Sequence, residues 1–409
     1  MDIPQGYKQT ELGIIPEDWD VKQIRDGLTL LTDFDANGSF ADMAENVQTY
    51  IGGGYAWYVR ATDLEQKTPL SEVKYVDESS YKFLKKSSLF GGEVLLAKRG
   101  DIGKVYLFEA KTMYATLAPN LYLLKLNQKI RSTYLYYYLK SSNGQKTLKD
   151  INASTSLGAL YKEDVKNLYV LCPSIVEQKL IAEALTDIDG LIAALDKKIA
   201  KKRLIKQGAM QQLLTGKKRL SGFSVPWIEK KVRDIFEITR GYVLSVAEIT
   251  SSKVGDNLYP VFSSQTQNNG IMGYYSQYLF EDCITWTTDG ANAGEVNFRK
   301  GKFYCTNVCG VLKSDMGFAN ECIASIINMI AKSHVSYIGN PKLMNNVMAE
   351  ITIVIPQSII EQQAIATILS DMDKEIADLE AKRDKYRLLK SGMMQKLLTG
   401  QIRLKINRI

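Results

Sequence analysis

One 44-residue segment is written twice in this chain. EQKLIAEALTDIDGLIAALDKKIAKKRLIKQGAMQQLLTGKKRL (177–220) aligns without gaps to EQQAIATILSDMDKEIADLEAKRDKYRLLKSGMMQKLLTGQIRL (361–404). About 24 of the 44 positions are identical, far more than unrelated segments share. Each copy follows a strand-like run ending in proline, LYVLCP (168–173) and ITIVIP (351–356). Trp19, Lys22, Arg25 and Asp26 recur at the same spacing as Trp227, Lys230, Arg233 and Asp234. The chain therefore reads as two copies of one unit, a variable globular part followed by a helix.

The copied segments carry a helical period. Ile181, Leu185, Ile188, Ile192, Leu195 and Ile199 are spaced alternately by four and three. Ile365, Leu369, Met372, Ile376, Leu379, Arg383 and Tyr386 repeat that spacing. Charged flanks around such an apolar seam predict helices that wind together. Each is about 38 residues, so roughly 55 Å long. Thr215-Gly216 and Thr399-Gly400 look like C-terminal stops, with glycine supplying the left-handed conformation. A dimerisation rod between two chains has the same pattern. Duplication within one chain favours an intramolecular antiparallel pair.

The expected segments are a globular domain at 1–175, a helix at 176–216, a second globular domain at 217–357, a second helix at 358–401 and a tail at 402–409. The 409 residues leave room for two such domains. Apolar content of 45% and charged content of 24% suit a folded chain. No apolar run reaches the length of a membrane span, and the first residues show no basic-then-apolar leader pattern. The expected location is cytoplasmic, and five cysteines without a dense framework fit a reducing compartment. A net charge of +7 is compatible with a polyanionic partner. Nine Lys/Arg and no acid lie between 197 and 219, a solvated face or a surface for phosphate or an acidic partner.

Catalytic constellations are missing. His334 is the single histidine, so no His-based triad or zinc site can be assembled from several of them. Cys305 and Cys309, with Cys283 and Cys322 nearby, lack the C-x2-C spacing of a zinc pair. RGDIGKV (99–105) departs from the phosphate-loop spacing, and GGG (52–54) is not a dinucleotide fingerprint. No Asn/Asp-Pro-Pro-aromatic tetrapeptide of an amino-methyltransferase is present; NPK (340–342) comes nearest.

The globular parts read as mixed α/β with many short strands. GGEVLLAKRGDIGKVYLF (91–108) predicts two strands around a basic turn carrying Lys98, Arg99 and Lys104. The corresponding stretch of the second half, 281–305, carries Thr288, Asn292 and Arg299. Short helices are expected at 131–142 and 319–333. The tyrosines of RSTYLYYYLKSS suit packing on a sheet or stacking on bases. The amide-rich run FSSQTQNNGIMGYY (262–275) offers Ser264, Gln265, Gln267, Asn268 and Asn269, side chains able to read adenine edges or simply to form a solvated turn. Arg60 is a further base or phosphate reader, or half of an ion pair with Asp63.

With GYKQTELGIIPEDWDVKQIRD (6–26), the EQ-initiated helices closing in LLTG, and the proline-to-EQ junctions at 173–178 and 356–362, the whole chain resembles the specificity subunit of type I restriction–modification systems. The resemblance implies a non-catalytic subunit with two target recognition domains in pseudo-two-fold arrangement, separated by the two antiparallel helices. Each domain would read half of a split double-stranded DNA site through the major groove. The helices would set the spacer, about 16 base pairs for a 55 Å rod. They would also dock two methyltransferase subunits, with two motor-nuclease subunits completing the restriction complex. S-adenosylmethionine, ATP and Mg2+ would belong to those partners. The rivals are a homodimeric coiled-coil scaffold that binds proteins, and a fused restriction enzyme whose catalytic motifs are not found here.

Overall fold

The computed structural model describes residues 3–100, 102–153, 159–264 and 267–404. Two compact units emerge, and neither coincides with one globular part plus the whole of one helix. One comprises Met1–Leu195 with Lys382–Ile409; the other is Asp196–Ala381. Two 39-residue helices, Ile175–Leu213 and Ile359–Leu397, each contribute one portion to each unit. The linear segmentation expected from the sequence therefore differs from the compact units, because each helix is shared.

In the first unit a four-stranded sheet has Val105–Leu107, Val94–Ala97, Leu121–Leu126 and Leu28–Asp33 in that order. A five-stranded sheet lies beside it in the chain, with Ala56–Val59 and Ala115–Leu117 parallel. Val94–Ala97 and Val105–Leu107 are the two strands expected around the basic turn, paired Val105 to Leu96. The helix Ser132–Lys140 packs Tyr134, Tyr137 and Tyr138 into the main core. Tyr134 donates to the Leu171 carbonyl at 2.8 Å and Tyr137 to Asp189 at 2.9 Å. These rings are core, not a stacking platform for bases.

The second unit has one six-stranded sheet. Phe280–Thr287 and Val296–Cys305 form its central hairpin, and Glu321–Ala331 is the helix expected near 319–333. Asn320 caps that helix through the Ile323 amide. All five cysteines are buried free thiols. Cys283, Cys305 and Cys309 pack with Phe262 and Phe303, while Cys322 belongs to a different cluster. Burial pushes the Cys309 thiol up to about 11 and that of Cys322 to about 12. These groups act as apolar packing.

Each unit ties its lead-in to its helix in the same way. Asp20–Gln23 pairs with Tyr169–Cys172 in one, and Ile228–Lys231 with Thr352–Ile355 in the other. Gln178 donates to the Pro173 carbonyl at 3.0 Å, and Gln362 donates to the Pro356 carbonyl at 2.7 Å. Both glutamines accept at the start of the sheet-packing helix, from the Arg131 amide or the Asn320 side chain. The long helices end at Leu213 and Leu397, followed by Gly216 (φ +68°) and Gly400 (φ +73°). A side chain on Gly400 would come 2.5 Å from Pro16, so this stop also makes room for close packing.

Candidate nucleic-acid interface and its scaffold

Ile181, Leu185, Ile188, Ile199, Ile365, Leu369 and Ile376 are buried, and Ile192, Leu195, Met372, Leu379 and Tyr386 are half-buried. In the first unit, Lys390 bonds both carboxylate oxygens of Asp189, at 2.6 and 2.8 Å. In the second, Lys202 reaches Glu375 at 2.7 Å, Lys206 pairs with Asp373 and Arg203 with Glu380. From Lys202–Glu375 through Lys206–Asp373 to Arg219–Glu361, rising numbers on one side meet falling numbers on the other, so the segments run antiparallel. Much of the basic run 197–219 is therefore spent on the partner helix. Lys197, Lys198 and Lys201 stay exposed.

Each unit contains a triad built around a buried glutamate. Glu361, 1% exposed, accepts from Arg219 Nε at 2.7 Å, Arg219 Nη2 at 2.8 Å and Trp227 Nε1 at 3.3 Å. Glu177 accepts from Arg403 Nε at 2.6 Å, Arg403 Nη2 at 2.7 Å and Trp19 Nε1 at 3.1 Å. Arg403 also grips Asp18 at 2.8 Å through two nitrogens, which holds the Asp18 carboxyl below its usual range. The arginine comes from one helical copy and the glutamate from the other. Sequence reasoning missed these triads, although the Glu, Trp and Arg recur in both copies.

The expected DNA contacts divide into exposed and interior groups. In the first unit Arg99 is exposed at its turn, next to Gly100 at φ +75°. Lys98 is not a surface contact. It is 5% exposed, and its ammonium lies 2.6 Å from Asp33 and 2.7 Å from Asp35. A lysine there is retained in the interior because two carboxylates compensate its desolvation. Lys162 joins Asp33 at 2.8 Å. Lys104 pairs with Glu65. Arg60 forms a two-pronged pair with Asp63 at 2.9 and 2.6 Å, the structural role open to it in the sequence.

In the second unit, the hairpin turn and the amide-rich run come together. Asn292 donates to the Ser264 carbonyl at 2.9 Å. Asn268 is exposed in the short helical turn Gln267–Gly270, at φ +50°. Gln265 lies outside the described residues, and for Gln267 and Asn269 only the backbone is described. Thr288, expected at the surface, is not available to DNA. It is fully buried, and its hydroxyl bonds Asp289 at 2.6 Å and the Val308 carbonyl at 3.0 Å. Arg299 is half-buried, donating to Thr285 Oγ1 at 3.1 Å and stacked 4.0 Å above the Phe262 ring. Burial lowers its pKa, and it lines a cavity of about 730 Å³ with Lys206, Glu321 and Asp373.

Asp33 contributes to the acid response of the first unit, alongside Asp18. Burial alone would push the Asp33 carboxyl up, but hydrogen bonds from Lys162 and Lys98 outweigh burial and hold it below the usual range. A depressed carboxylate contributes stability that is present above its unfolded pKa, about 3.9, and lost as pH falls through the lower folded value. The urea midpoint of this unit is expected to fall below about pH 4, and to fall less in Lys162→Met. Equal acid losses in both proteins would remove Asp33 from this role.

No group of three or more His, Cys, Asp or Glu among the described residues is arranged to hold a metal. No described helix is long and apolar enough to cross a membrane. A family model described as the type I restriction modification DNA specificity domain matches residues 16–202 and 224–386. A Methanocaldococcus jannaschii protein, named for the specificity subunit of the type I restriction enzyme MjaX, is 25% identical over 98% of this chain and 97% of its own length. The type I restriction enzyme MpnII specificity subunit of Mycoplasma pneumoniae is 36% identical over 40% of this chain and 48% of its own length. The fold is similar to that of the type I restriction–modification S subunit from M. genitalium, with a TM-score of 0.62 at 15% identity, over 97% of this chain and 98% of that one.

Proposed function

Because this chain belongs to the type I restriction–modification DNA specificity family, we propose that it is the non-catalytic DNA-reading subunit of such a complex. Each globular domain reads one half of a bipartite duplex site through the major groove. The paired helices set the length of unread DNA and dock two modification subunits, and two motor-nuclease subunits complete the assembly. S-adenosylmethionine, ATP and Mg2+ act in those partners. One observation carries the reading. The junctions of the two halves repeat down to single hydrogen bonds, Glu177 and Gln178 in one and Glu361 and Gln362 in the other, while the loops they carry have diverged. A repeated scaffold bearing two different loop sets suits two different readings on one duplex. Exposed Arg99 in the first domain and exposed Asn268 in the second are groups suited to base edges.

The purified chain is expected to bind duplex DNA with an affinity that falls steeply with salt. Given S-adenosylmethionine, ATP and Mg2+, it is expected to leave that DNA chemically unchanged. With its modification subunits it directs methylation to one split sequence. Methyl transfer by the chain alone, or salt-independent binding, would overturn the reading. The homodimeric scaffold is disfavoured because each helix finds its antiparallel partner within the same chain.

A further inference from the structure

Resting on that DNA-reading function, we infer that Arg99 and Asp35 of the first domain together read one G·C base pair. The two side chains line the same cavity, of about 520 Å³, with apolar walls from Phe34, Phe40, Met43 and Tyr58. Asp35 lies in the one-turn helix Phe34–Asn37 that follows the strand Leu28–Asp33. Its carboxylate is 63% exposed and anchored through Oδ2 to the buried Lys98 ammonium at 2.7 Å. Arg99 is the residue after Lys98 and faces solvent.

An exposed aspartate on a surface meant for phosphate alone would be repelled by it. A carboxylate is useful on DNA when a base offers a donor, and the cytosine 4-amino group does so in the major groove. Arginine suits the O6 and N7 acceptors of the paired guanine. A guanidinium and a carboxylate at one rim thus match both halves of a G·C pair. The buried lysine then has a function distinct from contact. It leaves Asp35 Oδ1 available while fixing the rest of the carboxylate. The apolar walls offer nothing to a phosphate.

Methylation mapping of the assembled complex provides the test, with wild type, Arg99→Ala and Asp35→Asn compared. Each substitution is expected to relax the same single G·C position of the half-site read by the first domain, by roughly 5- to 150-fold. The second half-site, mapped in the same reads, is expected to stay unchanged and so reports correct folding and assembly. A fold-independent arm uses the unaltered protein and oligonucleotides in which each guanine is replaced in turn by 7-deazaguanine. Loss of the N7 acceptor should weaken binding at that same pair. Unchanged preference in the variants, uniform weakening across all positions, or a 7-deazaguanine scan without effect in the first half-site would overturn the inference. A wild-type complex without any sequence preference would instead overturn the DNA-reading function itself.

Discussion

A chain ending at Ala381 is expected to lose the unfolding transition of its first unit and keep that of the second. The first unit's core contains Leu397 and Leu398, 4% and 1% exposed, with Met393, Met394 and Leu404 packed against it. Burying the two leucines alone stabilises by about 3–6 kcal/mol. Removing Arg403 leaves the buried Glu177 carboxylate with only the Trp19 donor, which costs about 3–5 kcal/mol more. The sum matches the whole net stability of a typical domain, about 5–15 kcal/mol. Tryptophan fluorescence in a urea titration can separate the units, because Trp19 and Trp57 lie in the first and Trp227 and Trp286 in the second. Two transitions at unshifted midpoints in the shortened chain would show that 382–409 is dispensable to the first unit.

Arg219→Ala should be nearly as damaging to the second unit. Glu361 has a side chain only 2% exposed, and Arg219 supplies two of the three donors that stabilise its charge. The guanidinium also lies 5.8 Å from the Trp227 ring, so packing is lost along with charge. The expected cost is about 3–5 kcal/mol, read from the urea midpoint of that unit. Most of the loss should return in Arg219→Ala/Glu361→Gln, because a neutral amide no longer needs the missing cation. If the double variant is no more stable than the single one, packing of the arginine stem and not charge compensation is what matters at this site.

The helices were readable because their information is local. Ile181, Leu185 and Ile188 announce a buried face by spacing alone, and the second copy repeats it. Single hairpins were readable for the same reason, as with the strands flanking Arg99. Burial of individual polar groups was not. Lys98 looked like a neighbour of Arg99 in a basic turn, but its fate depends on Asp33, 65 residues away. Thr288 likewise depends on Val308, in a turn 20 residues away. Asp35 gave no sign of standing at the same cavity as Arg99, since only the folded sheet joins them. The exchange of helix ends follows from an antiparallel pair within one chain, which sets the end of each helix beside the start of the other. The buried contacts that lock it, Arg219 to Glu361 and Arg403 to Glu177, gave no local signal, because glutamate and arginine at those spacings look like ordinary surface charges.

That exchange imposes an order on biosynthesis. Tyr7 bonds the Gly400 carbonyl at 3.0 Å, and Asp18 waits for Arg403. As the chain leaves the ribosome, residues 196–381 possess every part of their own core before 382–409 have been made. The portion made first is therefore the last to close. The whole of Asp196–Ala381 separates its two pieces, which at ribosomal rates of about 5–20 residues per second means roughly 10–40 s. Throughout that interval Ile181 and Leu185 lack Leu397 and Leu398, and the nascent N-terminal half presents the kind of open apolar surface that chaperones recognise.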